Sequence, residues 1–230
     1  MLTQIDSRYD LGLTAACIRG MLGKENPALL EKPLDALTEA DIETLLALAR
    51  EQGIKLHYFK HQETLPRVRM ALGFLKGIQP DNLLDVGSGR GVFLFPLLRT
   101  FPELPVTCTE ISPSRADLLE AVSRGGFSRL SVRREDICAF DAPEGSFDAV
   151  TLLEVLEHIP DVEAAVRNAV RLSRRYVVIT VPSKPDNNPE HIHLLTKPVL
   201  EKRLREAGCE QIQFSGVPGH LFCAAGKNRG

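Results

Sequence analysis

The chain has 230 residues, 43% of them hydrophobic and 25% charged, with 28 Lys/Arg against 30 Asp/Glu. That length suits one domain, or one with a small appendage, and the composition excludes a disordered chain, which would combine low hydrophobicity with high net charge. A net charge of −2 argues against coating nucleic acid by bulk charge, no apolar run reaches the ~18–20 residues that span a bilayer, and residues 1–10 lack the apolar centre of a secretion signal, so the expectation is a cytoplasmic protein without a membrane partner. The five cysteines, Cys17, Cys108, Cys138, Cys209 and Cys223, are odd in number and widely spaced, with no C-x-x-C. They read as reduced thiols rather than a disulfide framework or a zinc site.

The first 78 residues read as helical. Leu13–Leu22 is apolar-rich, and Pro27 and Pro33 break the chain after it. Thr38 with Asp41 forms a capping-box pattern ahead of Ile42, Leu45, Leu46, Leu48 and Ala49 at helical spacing, and Gly53 is the stop. A third helix is expected over Pro66–Lys76. From Asn82 the texture changes to short apolar strands alternating with helices: strand 83–86, helix 92–100, strand 106–110, helix 113–124, strands 130–135 and 147–153, helix 162–172, strand 176–181, helix 197–207 and a β-rich stretch 211–225. This alternation predicts an α/β fold with a mainly parallel sheet covered on both faces, in which ligands sit beyond the carboxyl ends of the strands. The expected organisation is a helical cap and basic linker over 1–78 and a catalytic domain over 79–230.

The residues at those strand ends carry the strongest signal. Asp85-Val86-Gly87-Ser88-Gly89-Arg90-Gly91 is a D-x-G-x-G-x-G at a strand-to-helix turn, where glycine permits positive φ and close approach of a ligand. Glu110 ends the second strand, where a carboxylate can accept from both ribose hydroxyls of a nucleoside. Asp136, after the third, can accept from an adenine amino group, with Ile137 packing on the ring. A dinucleotide site would place the third glycine one position later. With Phe147-Asp148-Ala149-Val150 leading into Glu154-Val155-Leu156-Glu157-His158, and the helix end Leu204-Arg205-Glu206-Ala207-Gly208, the chain from Leu83 onward resembles the class I S-adenosylmethionine-dependent methyltransferases. The resemblance implies a Rossmann-like seven-stranded sheet with a final β-hairpin, and S-adenosylmethionine as cofactor. It implies Gly87 and Gly89 at the methionine end, Glu110 on the ribose and Asp136 at the adenine, with Asp85, Ser88, Gly91, Ile111, Ile137 and Leu153 also among the cofactor-binding residues.

At the end of the fourth strand, Glu154, Glu157 and His158 would share one face if the segment were a single helical turn, and two carboxylates with an imidazole suit a divalent metal such as Mg²⁺, Mn²⁺ or Zn²⁺. The segment after the next strand adds His191 and His193. We expect the metal ligands to be Glu154, Glu157, His158 and His193, with His191 as the general base. The E-x-x-E-H pattern is similar to that of ubiquinone-biosynthesis O-methyltransferases and of bacterial small-RNA 3′-terminal 2′-O-methyltransferases. The chain departs from the first group throughout its N-terminus. It departs from the second in a short, proline-broken loop before the histidines and in lacking an aromatic-rich stretch after them. The alternatives are a metal-independent methyltransferase with His158 as base or pocket wall, and a module that binds the cofactor without catalysis.

Charge is unevenly spread. Residues 1–52 carry 5 Lys/Arg against 9 Asp/Glu, whereas residues 53–76 carry 5 against a single Glu. Lys55, His57, Lys60, His61, Arg67 and Arg69 interleave with Tyr58 and Phe59. They are suited to an RNA end, to an anionic small-molecule acceptor, or through Arg67 to the cofactor's carboxylate. Equally, they form a solvated face with Tyr58 and Phe59 in the core. No residue pattern bears on oligomeric state.

Overall fold

A computed structural model describes residues 10–227. Three helices precede the sheet: α1 (Leu11–Leu22), α2 (Glu39–Glu51) and α3 (Pro66–Ile78). The remainder alternates β1 (Leu83–Asp85), α4 (Leu94–Thr100), β2 (Val106–Thr109), α5 (Pro113–Arg124), β3 (Leu130–Arg133), β4 (Phe147–Leu153), α6 (Val162–Leu172), β5 (Ser173–Pro182), α7 (Lys197–Glu206), β6 (Cys209–Val217) and β7 (His220–Lys227). The strands form one seven-stranded sheet in the order β3-β2-β1-β4-β5-β7-β6, with β7 antiparallel to both neighbours. No helix among the described residues is long and apolar enough to cross a membrane.

The central strands are buried on both faces because successive side chains point to opposite sides. Leu83 faces a core built with α3, α4 and α5, while Leu84 faces the one built with α6 and α7. Helix α2 starts as expected: Thr38 Oγ1 accepts from the Asp41 N–H, and the Asp41 carboxylate accepts the Thr38 N–H at 2.6 Å. Helix α1 lies along α5, so this part of the N-terminal extension docks on the flank of the sheet. Their approach depends on paired glycines. A Cβ on Gly20 would collide with the Ala121 carbonyl, and one on Gly125 with the Ala16 carbonyl. Helix α3 lies against β6 and β7, and its Phe74 meets Tyr176 and Phe222 edge-on at 5.4 and 6.2 Å.

Expected and observed element bounds differ mainly at the ends. Strands β2 and β3 stop before Glu110 and Glu135, which leaves the acids in loops, and β5 begins at Ser173 rather than Tyr176. Cys17, Cys108, Cys209 and Cys223 are buried, Cys138 is half-buried, and all are free thiols. In the basic segment Phe59 is core, stacked on Phe95 at 5.3 Å. His61 and Glu63 are tied to Arg99, which also pairs with Asp10 at 3.0 Å. Of the segment's cations, Arg67 borders the β1 turn and Lys55 lies near the start of α5.

Candidate cofactor and metal site

Beyond β1 the chain turns through Gly87, Gly89 and Gly91 at φ of 63°, 58° and 80°, a region that residues with a Cβ rarely enter. The Gly89 position is open towards a cavity, whereas a Cβ on Gly91 would enter the Phe95 ring. Gly91, expected at the cofactor, lines neither adjoining cavity; it lets α4 pack close behind the turn. Asp85 braces the turn from beneath. Its carboxylate accepts from Thr151 Oγ1 at 2.7 Å and from the Ser88 hydroxyl, and burial pushes its pKa up to about 6.

A cavity of about 420 Å³ opens over this turn, within the range of small-molecule sites. Gly87, Gly89, Glu110, Ile111, Asp136 and Ile137 all line it. Glu110 is 4% exposed and holds the two loops together: the Gly89 N–H donates to Oε2 and the Ser112 N–H to Oε1, each at 2.8 Å. Each oxygen keeps a lone pair for a hydroxyl. Asp136 Oδ1 accepts from the Cys138 N–H at 2.9 Å. The two isoleucines differ from expectation in weight. Ile137 is 2% exposed and belongs to the core, whereas Ile111 is 72% exposed and offers an uncovered apolar surface to a planar ring. A smaller adjoining cavity of about 150 Å³ is lined by Arg67, Asp85, Ser88 and Leu153 and shares Gly87, Gly89 and Glu154 with the first.

The Glu154–His158 segment is not one helical turn, because β4 runs to Leu153 and Glu154 then takes a left-handed φ of 59°. Only Leu156–His158 forms a tight 3-10 turn. The expected shared face of Glu154, Glu157 and His158 is therefore corrected. Glu154 points instead to the β6–β7 hairpin. Its Oε2 lies 2.9 Å from His220 Nε2, and its Oε1 accepts from Thr180 Oγ1 at 2.9 Å. His220 Nδ1 faces the Pro218 carbonyl at 3.0 Å, so both ring nitrogens meet acceptors. A left-handed non-glycine residue held from two strands is a feature typical of functional sites. His220 was not visible as a site residue in the sequence, because nothing local to the hairpin marks it.

Glu157, His158 and His191 do converge, with one ligand atom from each within 4.8 Å of the others. Glu157 is fully buried, neither of its carboxylate oxygens has a hydrogen-bond partner, and burial pushes its pKa up to about 8, helped by Glu154 and Asp186. The imidazoles are oriented from behind. His158 Nδ1 donates to the Glu190 carbonyl at 2.9 Å and His191 Nδ1 faces Asp186 Oδ2 at 2.8 Å, which leaves Nε2 of each available. This backing of a ring N–H by an acceptor is the usual support of metal-ligating histidines. His191, expected as a base, thus stands in the place expected of His193. The Nε2 of His193 is buried without a partner, and His193 is not part of the cluster.

Residues 84–175 match a family model described as a methyltransferase domain. An ajmaline N-methyltransferase from Rauvolfia serpentina is 27% identical over 132 residues, covering 56% of this chain and 45% of that protein. A ubiquinone biosynthesis O-methyltransferase from Methylocella silvestris is 37% identical over 107 residues, covering 46% and 39%. The chain therefore spans less than half the length of these two curated relatives. Among solved structures, the N-terminal domain of EvdMO1, determined in the presence of SAH and D-fucose, superposes with a TM-score of 0.62 at 18% identity, covering 82% of this chain and 97% of that one. Residues 84–175 are thus a methyltransferase domain by sequence, and the seven-stranded sheet has the fold of the methyltransferase structures it superposes on.

Proposed function

We propose that the chain binds S-adenosylmethionine in the cavity between Gly87 and Asp136 and transfers its methyl group to a hydroxyl oxygen of a small organic acceptor, with a divalent ion at Glu157, His158 and His191. The observation that carries the metal-assisted reading is Glu157, a buried carboxylate with two unpartnered oxygens beside two imidazoles whose free nitrogens are fixed by acceptors behind them. A buried carboxylate in that state is costly unless a cation or a proton accompanies it. The N, N, O donor set suits Mg²⁺, Mn²⁺ or Zn²⁺. When bound, such an ion lowers the pKa of a nearby hydroxyl.

In this reading Glu110 accepts from the ribose hydroxyls, Asp136 from the adenine amino group, and Ile111 packs on the base. Arg67 meets the amino-acid carboxylate. The acceptor oxygen attacks the methyl carbon in line with the departing sulfur. The protein's part is chiefly to align them, because the cofactor supplies the reactive group. Glu154, facing both cavities and held by Thr180 and His220, is the carboxylate left to take the acceptor's proton. The described part of the N-terminal extension borders the site through Arg67 and Val68.

A second reading has its own support. Because the His158 Nδ1–H is committed to Glu190, its Nε2 is a preset proton acceptor at the cavity wall, as a metal-independent enzyme would need. Calorimetric titration of Mg²⁺, Mn²⁺ and Zn²⁺ into the protein loaded with S-adenosylhomocysteine separates the two. We expect saturable one-to-one binding of at least one ion, lost in Glu157→Ala. If none of the three binds the wild-type chain, the metal-assisted reading is wrong and His158 is left as the base.

A further inference from the structure

We propose that a cavity beside the cofactor site takes the phosphate group of a small phosphorylated acceptor. The inference deepens the methyltransferase reading and rests on it. The cavity, about 570 Å³, lies between the 3-10 turn Leu56–Phe59 and the start of α5. Its rim carries Lys55, Arg90 and Arg115 with the hydroxyl-bearing Ser112 and Ser114, and no carboxylate among the described residues lines it. Elsewhere the arginines around the sheet are mostly paired, as Arg99 is with Glu63, Arg129 with Glu103 and Arg134 with Asp117. Lys55, Arg90 and Arg115 make no ion pair and no side-chain hydrogen bond among the described residues. The guanidinium of Arg90 instead lies over the Tyr58 ring, 5.3 Å from its centroid.

Three cations from three separate segments, gathered around one cavity with no counter-charge among the described residues, repel one another unless an anion joins them. A carboxylate offers one charge and two oxygens. A phosphate offers close to two charges and three oxygens, and it matches this number of donors better. Beside Gln52 and Gly53, the lining includes Met21, Ile54, Tyr58 and Leu118, which suit an organic body attached to the phosphate. The position also fits an acceptor. Arg90 lines the small cavity next to Gly87 and Leu153, and Arg115 lines the cofactor cavity, so a molecule anchored here reaches towards the methyl group.

The test uses pyrophosphate as probe, titrated into the full chain loaded with S-adenosylhomocysteine. Malonate serves as the carboxylate control and a short single-stranded RNA as the polymer control. We expect saturable pyrophosphate binding that Lys55→Glu weakens at least tenfold without changing the affinity for S-adenosylhomocysteine, and that Arg90→Ala also weakens. Malonate and the RNA should bind at least tenfold more weakly than pyrophosphate. The proposal is overturned if pyrophosphate does not bind, if Lys55→Glu binds it as tightly as the wild type, or if malonate or the RNA binds as tightly as pyrophosphate. The preceding titration with S-adenosylhomocysteine alone reports on the methyltransferase reading separately, since that ligand carries no phosphate.

Discussion

Glu110→Ala will lower the affinity for S-adenosylhomocysteine by at least about a hundredfold, because in the proposed binding mode the side chain meets the ribose, and it also joins the loops around the cavity. The carboxylate is almost fully buried and accepts two backbone N–H groups, one from the glycine turn and one from the loop that begins α5. Hydrogen bonds to a charged group contribute about 1.5–3 kcal/mol each, so losing the two that the ribose hydroxyls would make reaches the ~2.7 kcal/mol that a hundredfold change requires. Glu110→Gln keeps an acceptor towards one loop and turns an NH₂ towards the other, and should fall between Ala and wild type. Calorimetric titration measures both, with a thermal melt to show that each variant is folded. An affinity for Glu110→Ala within threefold of wild type would remove Glu110 from the site.

The second large effect concerns Glu157 and pH. Its pKa in the folded protein is raised by burial to about 8, against an ordinary value near 4.5. Between these values the folded state holds a proton that the unfolded state has released, so stability falls as pH rises across the interval. Asp85 acts in the same direction but only up to about pH 6. The interval from pH 6 to 8 therefore isolates Glu157 from Asp85. There the metal-free protein should lose roughly 1–3 kcal/mol, equivalent to a fall of about 3–8 °C in Tm. Glu157→Gln, which is neutral throughout, should flatten that slope and melt higher than wild type at pH 8. A divalent ion should stabilise the wild type more at pH 8 than at pH 6, because it binds the ionised carboxylate. Equal slopes for wild type and Glu157→Gln would show that Glu157 is not the buried, protonated group described here.

What could be read from the sequence follows the range of the interactions. The glycine turn, the acids at 110 and 136, and the bounds of α5, α6 and β4 were legible because each is set by neighbours in the chain or by a local period. The E-x-x-E-H segment misled because its spacing suits a helix while its backbone belongs to the end of a strand. At φ 59° Glu154 leaves the face of Glu157. Its partner His220 comes from a hairpin 66 residues later, and no pattern links them. His191 and His193 were separable only by structure, since they lie two apart in an irregular loop with no period to say which one faces Glu157. Asp186, which orients His191, was invisible for the same reason. The basic segment was recognised, but its function was not. Half of it is core or tied to Arg99, and the unpaired cations at the cavity include Arg90 and Arg115 from elsewhere in the chain.

The most direct test of the account is a crystal structure of the chain with S-adenosylhomocysteine. The ribose hydroxyls should lie within hydrogen-bond distance of Glu110, the adenine between Ile111 and Asp136, and the sulfur beside Gly87 and Leu153. Ligand density elsewhere on the molecule, with the cavity between Gly87 and Asp136 left empty, would contradict it.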